Sequence, residues 1–195
     1  MKIIVIGATG TIGSAVAAAL EPAHEVVRAS RRGPVRVDMH DLASIDALFE
    51  TVPDADAVVC CAASGVLSPL DSDDDAVLPG VEGKLYGQVH LVRTALRHLP
   101  DGGSVTLTSG VIPLSLKGAS FGALANAGLD AFVRFAATEL PRGLRVNAVS
   151  PGWVAETLES MGLDAAEGTP AKEVADAFVQ AVEGTASGHT FTFGG

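Results

Sequence analysis

The sequence predicts an α/β protein: a doubly wound parallel sheet with helices on both faces. Three observations predict it. Short apolar runs alternate with helix-period segments along the 195 residues. Some of those runs, residues 57–61 above all, are apolar throughout, as strands covered on both faces are. The first run, residues 1–6, enters the glycine turn Gly7-Ala8-Thr9-Gly10-Thr11-Ile12-Gly13, and a helical pattern follows. Right-handed crossovers between parallel strands then set the general topology.

In the first unit Gly7 allows a sharp turn, and Gly10 puts no side chain between a ligand and the backbone. Gly13 lets helix and strand approach closely. The helix opens, from Thr11 onward, with unpaired amides and the positive end of its dipole, so an anion is favoured there. Residues 26–29 and 35–37 read as short strands. Leu42, Ile45, Phe49 and Val52 then fall on one helical face, with Asp41 placed to cap it. Residues 64–83 combine Ser68-Pro69, the acidic run 71–75 and Pro79-Gly80, and read as a surface loop with one helical turn at most and solvated acids. A long helix is expected over about 82–98, a strand over 104–109 after Gly102-Gly103, and a second long helix near 120–140. Residues 146–149 form a strand that Pro151-Gly152 breaks. Thr169-Pro170 reads as a helix cap followed by a first-turn proline, with Val174, Phe178 and Val182 on one side of that helix. Residues 189–193 close as a strand. No repeat or linker interrupts residues 1–195, so a single domain is expected.

Hydrophobic residues make up 48% of the chain and charged ones 18%, which suits a packed core. A net charge of −10, with no basic cluster longer than Arg31-Arg32, argues against nucleic acid or an anionic membrane as partner. No apolar run approaches a membrane span. Glycines interrupt the N-terminal apolar stretch too early for a secretory signal, so a cytoplasmic protein is expected. The adjacent Cys60 and Cys61 read as small buried strand residues rather than a disulfide framework, and no metal is expected.

Six motifs in order resemble those of the short-chain dehydrogenase/reductases, a family of NAD(P)-dependent enzymes, over nearly the whole length. They are the glycine turn at 7–13, Ser30-Arg31-Arg32, Asp38-Met39, Cys60-Cys61-Ala62-Ala63, Thr108-Ser109, and the run from Asn147 through Ser150-Pro151-Gly152. The resemblance implies a Rossmann-type sheet of about seven strands in the order 3-2-1-4-5-6-7. The glycine spacing is that of extended and atypical members, while the tail resembles the compact ones. It also implies a dinucleotide on Gly7, Thr9, Gly10, Thr11, Ile12 and Gly13. Asp38 would accept from the adenine amino group, with Met39, Ala62 and Ala63 lining adenine and ribose. Pro151, Gly152 and Val154 would hold the nicotinamide carboxamide, although Thr157 stands one place later than the family's threonine. Ser30-Arg31-Arg32 falls where such a fold meets the adenosine ribose. An acid there suits a free 2′-hydroxyl, whereas two guanidiniums and a hydroxyl suit a 2′-phosphate, so the expected cofactor is NADP(H).

The family's usual catalytic pair is Tyr-x-x-x-Lys on the helix after the fifth strand. That pattern falls here on Gly122 and Asn126. The single tyrosine, Tyr86, lies on the preceding helix with no lysine four residues on, so a Tyr–Lys mechanism is excluded. The segment resembles a minor branch in which Phe-Gly-x-x-x-Asn, here Phe121 to Asn126, replaces the pair. By resemblance Ser109 is the substrate-orienting serine, and Lys84 stands where the family usually has a structural asparagine. The expectation is that Ser109 and the Asn126 amide hydrogen-bond a carbonyl, Phe121 walls the nicotinamide side, and Lys84 supplies a proton. Lys84 reads equally as an exposed helix lysine, Phe121 as plain core and Asn126 as a surface polar residue. Residues 153–168 would form a short substrate lid, with Trp153 and Met161 as an apolar wall.

Three functions stay open. The first is an NADPH-dependent reductase of small aldehydes and ketones with a non-standard active site. The second is a non-catalytic NADP(H)-binding sensor or regulatory protein. The third is an NADPH-dependent quinone or flavin reductase, which needs no tyrosine acid. The two long helices are the pair that typically makes a four-helix dimer contact in this family. The small-residue stripe Ala123, Ala127, Ala131 suits such packing, so a homodimer or homotetramer is expected.

Overall fold

A computed structural model describes residues 1–62 and 67–193. The chain begins β1 (Lys2–Ile6), α1 (Thr11–Leu20), β2 (Glu25–Ser30), β3 (Val35–Arg36), α2 (Leu42–Thr51) and β4 (Ala57–Cys60). Next come α3 (Asp74–Val81), a π-helical segment (Glu82–Tyr86), α4 (Gly87–His98), β5 (Ser104–Thr108) and α5 (Ser120–Ala136). The chain continues with β6 (Arg145–Ser150), the short α6 (Ala155–Ser160), a 3-10 turn (Ala165–Glu167), α7 (Ala171–Glu183) and β7 (Thr190–Thr192). The described strands form one seven-stranded sheet in the order 3-2-1-4-5-6-7, and every pairing is parallel.

Side chains alternate across a strand, so β1 feeds two cores. Ile3 and Val5 pack on one face with Val16, Ala17 and Leu20 of α1 and Val174, Phe178 and Val182 of α7. Ile4 and Ile6 pack on the other with Ile45 and Phe49 of α2, Leu91 and Ala95 of α4, and Leu129 and Val133 of α5. No helix among the described residues is long and apolar enough to cross a membrane.

Asp41 caps α2 as expected, its Oδ1 accepting from the amides of Ala43 (3.1 Å) and Ser44 (3.4 Å). Leu42 is exposed, however, so the buried face of α2 begins at Ile45. The expected loop over 64–83 holds a full helix instead. Asp73 stands at the N-cap of α3 and Asp74 and Asp75 in its first turn, where acids complement the helix dipole. Pro79 sits inside α3, and the backbone then widens into the π-helical segment before α4. α7 starts at Ala171 without help from the Thr169 side chain: both carboxylate oxygens of Glu156 accept from the Ala171 amide, at 3.1 and 2.9 Å. α5 stops at Ala136, because the next amides, Thr138 and Glu139, tighten onto carbonyls three residues back.

The glycine turn is built from two close approaches. Gly7 has φ +80°, and a Cβ on it would meet the Ala62 amide nitrogen at 2.8 Å. A Cβ on Gly13 would run into the Gly7 carbonyl, whereas one on Gly10 would meet only the Gly7 oxygen at 3.4 Å. Gly13→Ala should therefore lower stability by about 1–3 kcal/mol through forced displacement of backbone. Gly10→Ala should stay within about 0.5 kcal/mol. Thermal denaturation of the two variants, followed by circular dichroism, checks the contrast.

Candidate functional site

The strand order reverses between β1 and β4, and ligands of such sheets bind in the crevice beyond the strand C-termini at that point. Two cavities open there. The first, of about 210 Å³, is lined by Gly7, Thr9 and Gly10 of the turn, Ser30 and Arg31 after β2, and Asp38, Met39 and His40 after β3, with Ala62 beside them. The second, of about 390 Å³, is lined by Ile12, Lys84, Ser109, Asn126, Pro151, Gly152, Trp153 and Val154, among others. Cys61, just past β4, borders both and joins them.

The first cavity is built for an anion. Gly10 is the N-cap of α1 with no side-chain cap, and no acid stands in the first turn, so nothing in that turn offsets the positive dipole end. Arg31 brings a guanidinium to the wall. The Asp38 carboxyl is held below the usual carboxylate range, first by the His40 amide, then by the His40 ring and the Arg31 charge, against the opposing effect of burial. His40 places its amide nitrogen and its Nδ1 each 3.1 Å from Asp38 Oδ1. The same imidazole lies over Gly83, where any Cβ would strike it.

Of the residues expected at this end, Arg32, Thr11 and Gly13 border neither cavity. Arg32 is exposed in the turn after β2 and lines neither cavity, so the paired guanidiniums reduce to one at the wall. Thr11 and Gly13 line neither cavity: Thr11 opens α1 at the surface, and Gly13 is buried beneath the turn. Ala63 lies outside the described residues.

At the second cavity, Lys84 occupies the centre of the π-helical segment and is 8% exposed, which removes the reading as a solvated helix lysine. Its Nζ donates to the Ser109 carbonyl at 3.1 Å. Burial lowers the ammonium to about 8, with the Asp130 charge pulling the other way. Gln88, one helical turn on and fully buried, fixes this arrangement. Its Nε2 donates to the carbonyls of Lys84 (2.8 Å) and Thr108 (3.0 Å), while its Oε1 accepts from the Thr108 amide (2.9 Å). The helix that carries Lys84 is thereby tied to the strand end that carries Ser109.

Ser109 Oγ and Asn126 Oδ1 are buried without a partner. A buried orphan costs about 1–3 kcal/mol, so a polar group entering the cavity would be stabilised at these two atoms. Asn126 reverses its expected polarity: its Nδ2 donates to the Gly110 carbonyl at 2.7 Å, so Oδ1, an acceptor, is the atom left over. Exchanging the two would set oxygen against oxygen, which fixes the amide's orientation. Phe121 is a further correction. It is half-buried and lines neither cavity, because five helical residues put it about 140° around α5 from Asn126. Tyr86 is 66% exposed and borders neither cavity.

The expected lid is partly helical. Val154 bridges to Thr169, α6 follows, and Trp153, Thr157 and Met161 reach the second cavity. The sequence marks Gln88 and His40 only weakly. Their signals were spacing alone: Gln88 is four residues after Lys84 on the same helical face, and His40 is two after Asp38.

The donor set fits a dinucleotide across both cavities: a bare helix start and a glycine cradle in the middle, a cation at one end, and orphaned polar atoms at the other. Similarity to known proteins bears on the family. The family model described as Enoyl-(Acyl carrier protein) reductase matches residues 7–186. The solved structure of the protein lin1944 from Listeria innocua is 36% identical, with TM-score 0.92 over 100% of both chains. A small-chain dehydrogenase in complex with NADPH is 26% identical, with TM-score 0.85 over 99% of this chain and 96% of that one. Glucose and ribitol dehydrogenase homolog 2 of Arabidopsis thaliana is 33% identical over 100 residues, which are 50% of this chain and 35% of that protein. The chain thus spans about a third of the curated relative it matches. With its sheet order, its glycine turn and a family match over almost its full length, the chain belongs to the short-chain dehydrogenase/reductase family of nicotinamide-dependent oxidoreductases.

Proposed function

We propose that this chain is a cytoplasmic NADPH-dependent reductase of small aldehydes and ketones that works without the family's tyrosine. One observation carries the reading: a buried lysine, its ammonium lowered to about 8, stands beside an orphaned serine hydroxyl at the floor of a cavity. The α1 amides bind the diphosphate, and Ser30 and Arg31 bind the adenosine 2′-phosphate. Asp38 accepts from the adenine amino group, with Met39 and Ala62 beside it, and Pro151, Gly152 and Val154 border the nicotinamide end. The reduced cofactor, when bound, supplies the hydride.

The remaining work falls to the chain's own side chains. Ser109 Oγ donates to the substrate carbonyl and holds it in place. Lys84 gives its proton to the oxygen as negative charge develops there, then regains one from water. Gln88 keeps the Lys84 backbone in register with Ser109. Asn126 holds the Gly110 carbonyl and offers Oδ1 to a substrate hydroxyl or a water. The surface position of Tyr86 favours a second reading, a non-catalytic NADP(H)-binding regulator. A quinone or flavin reductase would use the same cofactor site with no need for Lys84. A homodimer or homotetramer through α4 and α5 is part of the proposal, supported by exposed Ala123, Ala127 and Ala131 beside exposed Leu124 and Phe135.

Calorimetry should give NADPH binding that Arg31→Ala weakens at least ~10-fold, with little effect on NADH. An absence of heat with either nucleotide would end the reading. For NADPH oxidation with aldehydes and ketones, a general acid must be protonated, so kcat should fall as pH rises through about 8. Lys84→Met should lower kcat ~100-fold and remove that limb; unchanged turnover would take Lys84 out of the mechanism. Stability should move the opposite way. Between about 8 and 10.5 the unfolded chain keeps a proton on Lys84 that the folded chain has lost, so wild-type stability relative to Lys84→Met should rise with pH across that window.

A further inference from the structure

The second cavity has a polar floor and, apart from Thr157, walls that are almost wholly apolar. Above Lys84, Ser109 and Asn126 rise Ile12, Ile112, Leu116 and Trp153. Its mouth is set by Leu67, Val111 and Met161, which are 57%, 48% and 57% exposed and come from three separate stretches of chain. Large apolar side chains gathered in water around an opening are stabilised by what covers them. Lys84 is the one charged side chain among the described lining residues, and on the reading above it serves the carbonyl end of the substrate, not the body. The described walls hold no arginine, histidine or second lysine to pair with a carboxylate or phosphate. A charged substrate tail would therefore leave water unpaired, at a cost that neutral apolar groups do not meet.

Size narrows the class further. At about 390 Å³ the cavity is at the small end for ligand pockets, and Pro151, Gly152 and Val154 reserve part of it for the nicotinamide end on the reading above. We propose that the substrate is an uncharged carbonyl compound with an apolar alkyl or aryl body, its carbonyl at Ser109 and Lys84 and its body against Trp153, Leu67, Val111 and Met161. This assignment rests on the reductase reading for where the carbonyl sits, and on the walls alone for what the body is.

Trp153 is the single tryptophan of the chain and lines the cavity, so its emission reports occupancy without turnover. The full chain, with and without NADP+, would be titrated with 2-alkanones from butanone to nonan-2-one. Octan-2-one would be compared with 7-oxooctanoate, which carries the same ketone and a terminal carboxylate. NADPH oxidation by the same compounds would be followed in parallel. Affinity should rise about two- to fourfold per added methylene until the cavity is filled. The keto acid should bind at least ~10-fold more weakly than octan-2-one, and Val111→Asp should flatten the chain-length series. Equal affinity along the series, or tighter binding of the keto acid, overturns the inference, even where NADPH oxidation shows the reductase reading to be sound. A rising emission series with no oxidation by any ketone leaves the apolar class standing and removes the reductase reading.

Discussion

The site depends on backbone touching backbone at the end of β1. Gly13 lies against the Gly7 carbonyl, and Gly7 lies against the Ala62 amide, with no side chain between them. That contact sets the start of α1 directly over the gap between β1 and β4, where the sheet's order reverses. The helix dipole, the bare N-cap and the two cavities all follow from it. A side chain at either position would push α1 away, and the anion-favouring amides would no longer face the crevice.

The second structural decision is how to keep a cation inside. An ammonium in an apolar interior is unfavourable: burial lowers its hold on the proton, and one carbonyl acceptor and the charge of Asp130 offset part of that cost. Gln88 has all its hydrogen bonds satisfied by Lys84 and Thr108. Ser109 and Asn126, by contrast, keep atoms unsatisfied. A cluster that is fully satisfied at its base and deficient at its tip is rigid where it must be and hungry where a ligand arrives.

Much of this was legible in the sequence, because it rests on local rules. Short apolar runs mark the strands, Asp41 announces the start of α2, and the spacing of Gly7, Gly10 and Gly13 marks the turn. Elsewhere the sequence was misleading, because distant groups decide the outcome. The acids of 73–75 and the proline at 79 resemble a loop locally, yet the acids begin a helix that runs on through the proline. The polarity of Asn126 follows from the Gly110 carbonyl, sixteen residues away. Arg31 and Arg32 are alike in sequence and both exposed, and only the turn after β2 decides which of them borders the cavity.

The π-helical segment from Glu82 to Tyr86 carries one last consequence. A π turn is wider than an α turn, so it shifts the angular phase of everything that follows by roughly a residue's worth, about 100°. Leu91 and Ala95 reach the core, and Lys84 and Gln88 reach the strand tip, within one nearly continuous run from Asp74 to His98. Spacings of four, three and four residues put Lys84, Gln88, Leu91 and Ala95 along a single stripe of this run. The wide turn therefore rotates α3 relative to α4, while the stripe itself seals the hydrophobic interior at its far end and presents chemistry at its near end.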